Sequence, residues 1–143
     1  MTIIEIIAIA VVAIIFLSIT VAEIKSHKKK HIKFVYHLCN WYWGKTIKII
    51  TNDGLGTIRV SIDDEHPAVA IIDSFSVANE FHGNGYGNIL LNEVERYIRE
   101  TLVNVHTIVL YADKTSWVTD WYKRNGYKTT EETDYEYIMN KKI

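Results

Sequence analysis

The chain has 143 residues, enough for one domain of ordinary size, and 48% of them are hydrophobic. Its formal net charge is −1, yet the charge is segregated: residues 24–45 carry six lysines and no acid, whereas residues 46–143 carry ten Lys and Arg against fifteen Asp and Glu. An acidic domain repels nucleic acid, which excludes that class of partner, and a single cysteine, Cys39, excludes an intramolecular disulfide framework and fits a reducing compartment.

The first element is apolar. From Ile6 to Ala22 there is no charge, and only Ser18 and Thr20 are polar. About 20 apolar residues cross a bilayer as a helix, so residues 3–24 predict one transmembrane helix with Glu5 and Glu23 at the two interfaces. A cleaved signal would need positive charge before the run; here Glu5 precedes it and "KSHKKKHIK" follows, the reverse polarity. The competing reading is an interior helix apolar on all sides. By the positive-inside rule the lysines stay cytoplasmic, which predicts a single-pass protein with its N-terminus out and its C-terminal domain in the cytoplasm. Lysines in such a position each gain about 1 kcal/mol near anionic lipid, so the bilayer is an expected partner.

Residues 25–45 read as a basic and aromatic juxtamembrane segment. His27 and His31 have the i, i+4 spacing of metal ligands, but no acid or Cys accompanies them, and no metal is expected anywhere in the chain. Cys39 reads as a small buried hydrophobe in preference to an acylation site. For Trp41, Tyr42 and Trp43 two readings stand side by side: a belt at the lipid headgroups, or packing beneath the folded domain.

Residues 46–143 predict one α+β domain. "TIKIITNDGLGTIRVSIDDEHPAVAIIDSFSV" reads as three strands separated by turns at Asn52–Gly54 and "DDEHP"; Ile58, Val60 and Ile62 alternate with Thr57, Arg59 and Ser61 as in a half-buried antiparallel strand. Ala68–Ile72 is continuously apolar, the pattern of a strand buried on both faces, and "HTIVLYAD" reads as a second buried strand. Between them Leu91, Val94, Ile98 and Leu102 fall on one helical face. A short helix in "SWVTDWYKRNGY" ends at Asn125–Gly126, and residues 135–140 form a last strand.

The stretch "HGNGYGN" joins a strand to the long helix. It is not a Walker loop, since no Lys-Ser or Lys-Thr follows, nor a dinucleotide fingerprint, which needs Gly in place of Asn88. What remains is a glycine-rich turn at a helix N-terminus, where converging N–H groups bind anions such as phosphate. A tight turn that binds nothing is the alternative.

Two motifs together resemble the GNAT family of N-acetyltransferases. After a strand ending at Val77, His82-Gly83-Asn84-Gly85-Tyr86-Gly87 is similar to its acyl-CoA motif, and Trp121-Tyr122-Lys123-Arg124-Asn125-Gly126-Tyr127 to its later aromatic motif. The resemblance covers Gly56 to the C-terminus and implies a mixed, mostly antiparallel sheet flanked by helices. It implies that acetyl-CoA is the acyl donor, with its pantetheine arm on the Val77 backbone, its pyrophosphate on the N–H groups of Gly83, Asn84, Gly85, Tyr86, Gly87 and Asn88, and His82 beside the phosphates. A primary amine then attacks the thioester directly, and Tyr122 protonates the departing thiolate. Asp73, a carboxylate within an apolar strand, is the best-placed general base, with Glu80 a weaker candidate; an ordinary bulge residue facing solvent is the equal alternative for Asp73.

Three departures stand out. His82 replaces the usual Arg or Gln. Thr115 stands where the family often has Asn, which puts a contact to the pantetheine arm in doubt. The helices that form the family's acceptor wall, between its first two strands, are replaced by the turn at Asn52–Gly54. The acceptor site is then left to the aromatic segment before Lys45, to the membrane surface, or to a second chain in a homodimer. The expected function is a membrane-anchored, acetyl-CoA-dependent N-acetyltransferase; the alternative is a catalytically degenerate acyl-CoA-binding or protein-interaction module.

Overall fold

The computed structural model describes residues 32–143. The expected transmembrane segment, Glu5, Glu23, His27 and His31 lie outside the described residues, and among the described residues no helix is long and apolar enough to cross a membrane.

Seven strands form one sheet: β1 (Phe34–Trp41), β2 (Gly44–Thr51), β3 (Gly56–Asp63), β4 (Val69–Val77), β5 (Thr107–Asp113), β6 (Lys128–Glu132) and β7 (Glu136–Lys142), in the order β1-β2-β3-β4-β5-β7-β6. All neighbours are antiparallel except β4 and β5. That one parallel step requires a crossover, which α1 (Tyr86–Thr101) supplies after a 3₁₀ turn at Asn79–Phe81. A second helix, α2 (Val118–Arg124), connects β5 to β6.

The period-two alternation predicted for β3 is observed: Ile58, Val60 and Ile62 are buried, and Arg59 between them is exposed. Ile47 and Ile49 of β2, Ala70 and Ile72 of β4, and Ile108, Leu110 and Ala112 of β5 share that buried side. Leu90, Leu91, Val94 and Ile98 of α1 and Tyr122 of α2 close the same core. Truncating such a fully enclosed side chain as Leu90 to Ala costs about 2–5 kcal/mol.

Several expectations are corrected. Phe34–Trp41, expected as juxtamembrane chain, is an edge strand, because aromatic and branched residues that alternate along it pair in register with β2 from Phe34 with Thr51 to Trp41 with Gly44. The folded unit therefore begins at Phe34, not at residue 46. Gly44 makes the tight return possible: a Cβ there would lie 2.1 Å from the Ile62 carbonyl oxygen. Cys39 is exposed, not buried, since its cross-strand partner Thr46 shares the face away from the core. Trp41, Tyr42 and Trp43 do not pack beneath the domain; they are 52%, 98% and 38% exposed around the β1–β2 turn. β4 and β5 are buried on one face only, with Val69, Ile71 and Val109 half-buried and Tyr111 exposed, because among the described residues nothing covers the other face of the sheet. β6 was not foreseen; "KTTEE" is fully exposed and carries no apolar pattern.

Candidate functional site

The parallel register joins Val69–Ile72 to Thr107–Leu110 and stops, although β4 runs on to Val77 and β5 to Asp113. The cause lies on the opposite side of β4. There Arg59 pairs with Ser74 and Val60 with Ile72, so Asp73 is an extra residue, a β-bulge. A bulge adds local twist, and β4 turns away from β5 from that point on. The divergence opens a cleft of about 610 Å³ between the end of β4, the glycine loop and α2, lined among others by Phe75, Val77, His82, Trp117, Trp121 and Tyr122.

One wall is a row of backbone donors. Gly83 and Gly85 have φ of +75° and +81°, a left-handed conformation that glycine adopts without strain, and Gly85 is the N-cap of α1. The first helical bond runs from the Ile89 N–H to the Gly85 carbonyl at 3.1 Å. The N–H groups of Gly83, Gly85, Tyr86, Gly87 and Asn88 donate to no acceptor among the described residues; that of Asn84 is taken by the Phe81 carbonyl at 3.2 Å. Five unpaired donors at a helix N-terminus, beside a cleft, make a cradle for an anion. Gly87 lets α1 and the Trp121 ring approach closely, since a Cβ there would lie 3.2 Å from that ring.

The facing wall is aromatic. Trp121 stacks on Phe75 with centroids 5.6 Å apart and donates its indole N–H to the Asn88 side chain at 2.9 Å, which holds α2 against the start of α1. Tyr122 is buried, and burial pushes its phenol up to about 12. Tyr122 lines the cleft, and its hydroxyl has no hydrogen-bond partner among the described residues. His82 reaches from the loop to Val77, its Nε2 lying 2.8 Å from the carbonyl oxygen. A carbonyl only accepts, so Nε2 carries the hydrogen.

The model for the acetyltransferase (GNAT) domain matches residues 39–129. This chain belongs to the GNAT acetyltransferase family. The GNAT fold is shared with PaiA N-acetyltransferase of Thermoplasma acidophilum in complex with coenzyme A, at TM-score 0.59 and 21% identity over 68% of this chain and 60% of that one. It is shared with an Arabidopsis thaliana protein in complex with a bisubstrate analogue, at TM-score 0.56 and 22% identity over 68% and 72%. A Bacillus cereus acetyltransferase matches at TM-score 0.56 and 16% identity over 88% and 89%. The chain thus spans 60% of the length of the Thermoplasma protein. No curated protein matches by sequence.

Within the GNAT domain, Val77, His82, Gly83, Gly85, Gly87, Asn88 and Tyr122, drawn from the two motifs, line one cleft. Four other expected site residues are placed differently. Asn84 does not line the cleft, and its N–H is taken by the Phe81 carbonyl. The Tyr86 side chain is buried and donates its hydroxyl to Asp53 at 3.0 Å in the β2–β3 turn, so only its N–H belongs to the cradle. Thr115 directs both its hydroxyl and its N–H to one oxygen of Asp113, each at 2.7 Å. Those bonds hold Asp113 below the usual carboxylate range and close the turn into α2, and Thr115 does not line the cleft. Asp73 occupies the bulge, on the sheet face away from α1, where it accepts from Arg59 Nε at 2.5 Å and from the Ser61 hydroxyl. Its charge therefore has a structural partner.

Sequence reasoning missed the aromatic partnership of Phe75 with Trp121 and the bond from His82 to Val77, both of which depend on how the strand end folds back over the loop. Asp63, Glu65 and His66, at the far end of β4, come within 4.8 Å of one another, but all three are exposed in the β3–β4 turn, a common arrangement without an ion.

Proposed function

We propose that this GNAT domain moves an acetyl group from acetyl-CoA to a primary amine by direct attack. The observation that carries the reading is the row of five unpaired N–H groups at the start of α1, opening into the cleft left where β4 and β5 part. The pyrophosphate sits on those donors. The pantetheine arm runs along the β4 edge that β5 abandons, with its amides paired to backbone there. An amine arriving beside the bulge attacks the thioester carbon, and backbone donors near Val77 stabilise the developing oxyanion.

Tyr122 then protonates the leaving thiolate. A phenol near 12 keeps its proton over the whole working range. Transfer to an ordinary thiol of pKa about 8.5 would run uphill. The thiolate leaves in the same desolvated cleft, however, which raises its basicity as well. Asp73 is the candidate for removing the ammonium proton, by its place at the bulge; Thr115 acts by shaping the turn into α2 and not by touching the donor.

The chain is held at the cytoplasmic face of a membrane by residues 3–24, which confines its acceptors to amines at the bilayer: a lysine or N-terminus of a membrane protein, or an amino-bearing lipid or sugar precursor. One observation favours a second reading, a degenerate acyl-CoA-binding module. β1, which the structure adds as the first strand, and β2 are joined directly by Tyr42 and Trp43, so the family's acceptor wall, which lies between its first two strands, has no counterpart among the described residues there.

Calorimetric titration of acetyl-CoA into the full-length chain in detergent, beside Gly85→Glu, tests the donor site. Saturable binding that drops at least about 100-fold in the variant is expected, since a carboxylate replaces the anion and strains a left-handed position. A well-folded wild-type chain that does not bind overturns the reading.

A further inference from the structure

The contact between His82 and Val77 lies on the path that the proposed function gives to the donor. Val77 is the last residue of β4, on the edge that loses β5 after Ile72. Its carbonyl accepts from His82 Nε2 at 2.8 Å, so a side chain does here what the neighbouring strand does further back. The ring does not lie along its own loop. It crosses toward the other wall, where it meets Trp117 of the turn into α2 edge-on, with centroids 6.3 Å apart. His82, Val77 and Trp117 all line the cleft. The glycines of the cradle and Tyr122 line that same cleft, so an arm lying in it shares the space with this ring.

We infer that His82 is a positioning residue for the acyl donor: its imidazole and an amide N–H of the pantetheine arm compete for the Val77 carbonyl, and binding exchanges one donor for the other. The inference rests on the proposed donor site. Its chemistry is conservative. The carbonyl keeps a hydrogen bond throughout, so the β4 edge is never left with an unsatisfied acceptor, while the ring must leave the space between Val77 and Trp117 before the arm can lie flat. His82 therefore sets the affinity for the arm, and not only for the phosphates.

The test separates the arm from the phosphates by using pantetheine, which carries the arm alone. In the full-length chain labelled with ¹⁵N-histidine, His82 Nε2 should show a bonded proton with a scalar coupling to the Val77 carbonyl carbon, and saturating pantetheine should abolish that coupling. His82→Ala should bind pantetheine about 5–10-fold more tightly, the loss of one net hydrogen bond from the competing state. Pantetheine that binds while the coupling persists overturns the inference, as does His82→Ala that binds pantetheine no better than wild type and acetyl-CoA more weakly, the signature of a plain phosphate ligand. Should His82→Ala fail to fold, the coupling in the wild-type chain decides alone. If neither pantetheine nor acetyl-CoA binds the wild-type chain, the donor site itself fails and this inference falls with it; binding of both with the coupling retained removes only the role of His82.

Discussion

Helix α1 touches two polar groups of opposite character. At its N-terminus five N–H groups have no acceptor among the described residues, and nearby the Tyr122 hydroxyl has none either. Midway along, Glu95 is buried, yet its two oxygens take the Tyr127 hydroxyl at 3.1 Å and the Lys141 ammonium at 2.7 Å. Tyr122 and Tyr127 are five positions apart, both buried, with ring centroids 5.7 Å apart. One phenol ends in a carboxylate and the other in a cleft. A buried polar group with its partner in place serves the fold; one left open beside a cavity is placed for a ligand. The comparison predicts that damage at the Glu95 cluster should appear as instability, and damage at the helix N-terminus and Tyr122 as lost binding or turnover.

Lys141→Met should have the largest effect on the fold. It leaves the Glu95 carboxylate buried without its counter-charge, at a cost of about 3 kcal/mol, read by urea denaturation, with acetyl-CoA affinity unchanged in the folded protein. A loss under about 1 kcal/mol would mean that the Glu95 cluster is not what holds α1 to β7. Tyr122→Phe should do the reverse. Its hydroxyl has no bond to lose, so stability should hold while kcat falls about 100-fold, the usual weight of a general acid. Unchanged turnover removes the acid role, and no turnover in either form supports the binding-module reading.

The pH dependence sharpens the same contrast. Burial raises the folded-state pKa of Tyr122 from 10.0 to about 12, and burial with the Glu95 charge raises Tyr127 as well. The unfolded chain therefore releases these protons first. The stabilisation is complete below pH 10 and declines as pH rises from there toward the folded-state values, by about 2 kcal/mol for Tyr122 at pH 12. Alkaline denaturation should begin above pH 10 and be shallower in Tyr122→Phe; an unchanged profile would place the hydroxyl in water. The smallest structural effect belongs to Asp73→Asn. The Arg59 partner is half exposed, so stability should change by less than about 1 kcal/mol, whereas a tenfold or greater fall in kcat is expected if the carboxylate takes the ammonium proton. Equal turnover would leave Asp73 a bulge residue bonded to Arg59.

Much of this was legible in the sequence. The alternation in "TIRVSID" specified β3, because a half-buried strand must present every second side chain to the core. The helical period of Leu91, Val94 and Ile98 located α1, and the glycines located its N-terminus. β1 was not legible as a strand, since "FVYHLCNW" leaves most of its side chains exposed at a sheet edge and its aromatics read equally well as a membrane belt. The buried Glu95 was missed for a related reason: a lone acid on a helix reads as solvated until the Lys141 and Tyr127 that meet it are known.

By itself the sequence determined the family, the glycine loop at residues 83–88 and the place of the phenol at Tyr122, because these depend on local chemistry: glycine's left-handed conformations, a helix start, and an aromatic at a fixed place in a short motif. Only the tertiary structure decided that β4 parts from β5 at Asp73, that His82 reaches the Val77 carbonyl, and that Thr115 faces Asp113 instead of the cleft. Those outcomes depend on which residues distant in the chain come to face one another, and pairing across a sheet or a cleft is set by packing that no single stretch of sequence contains.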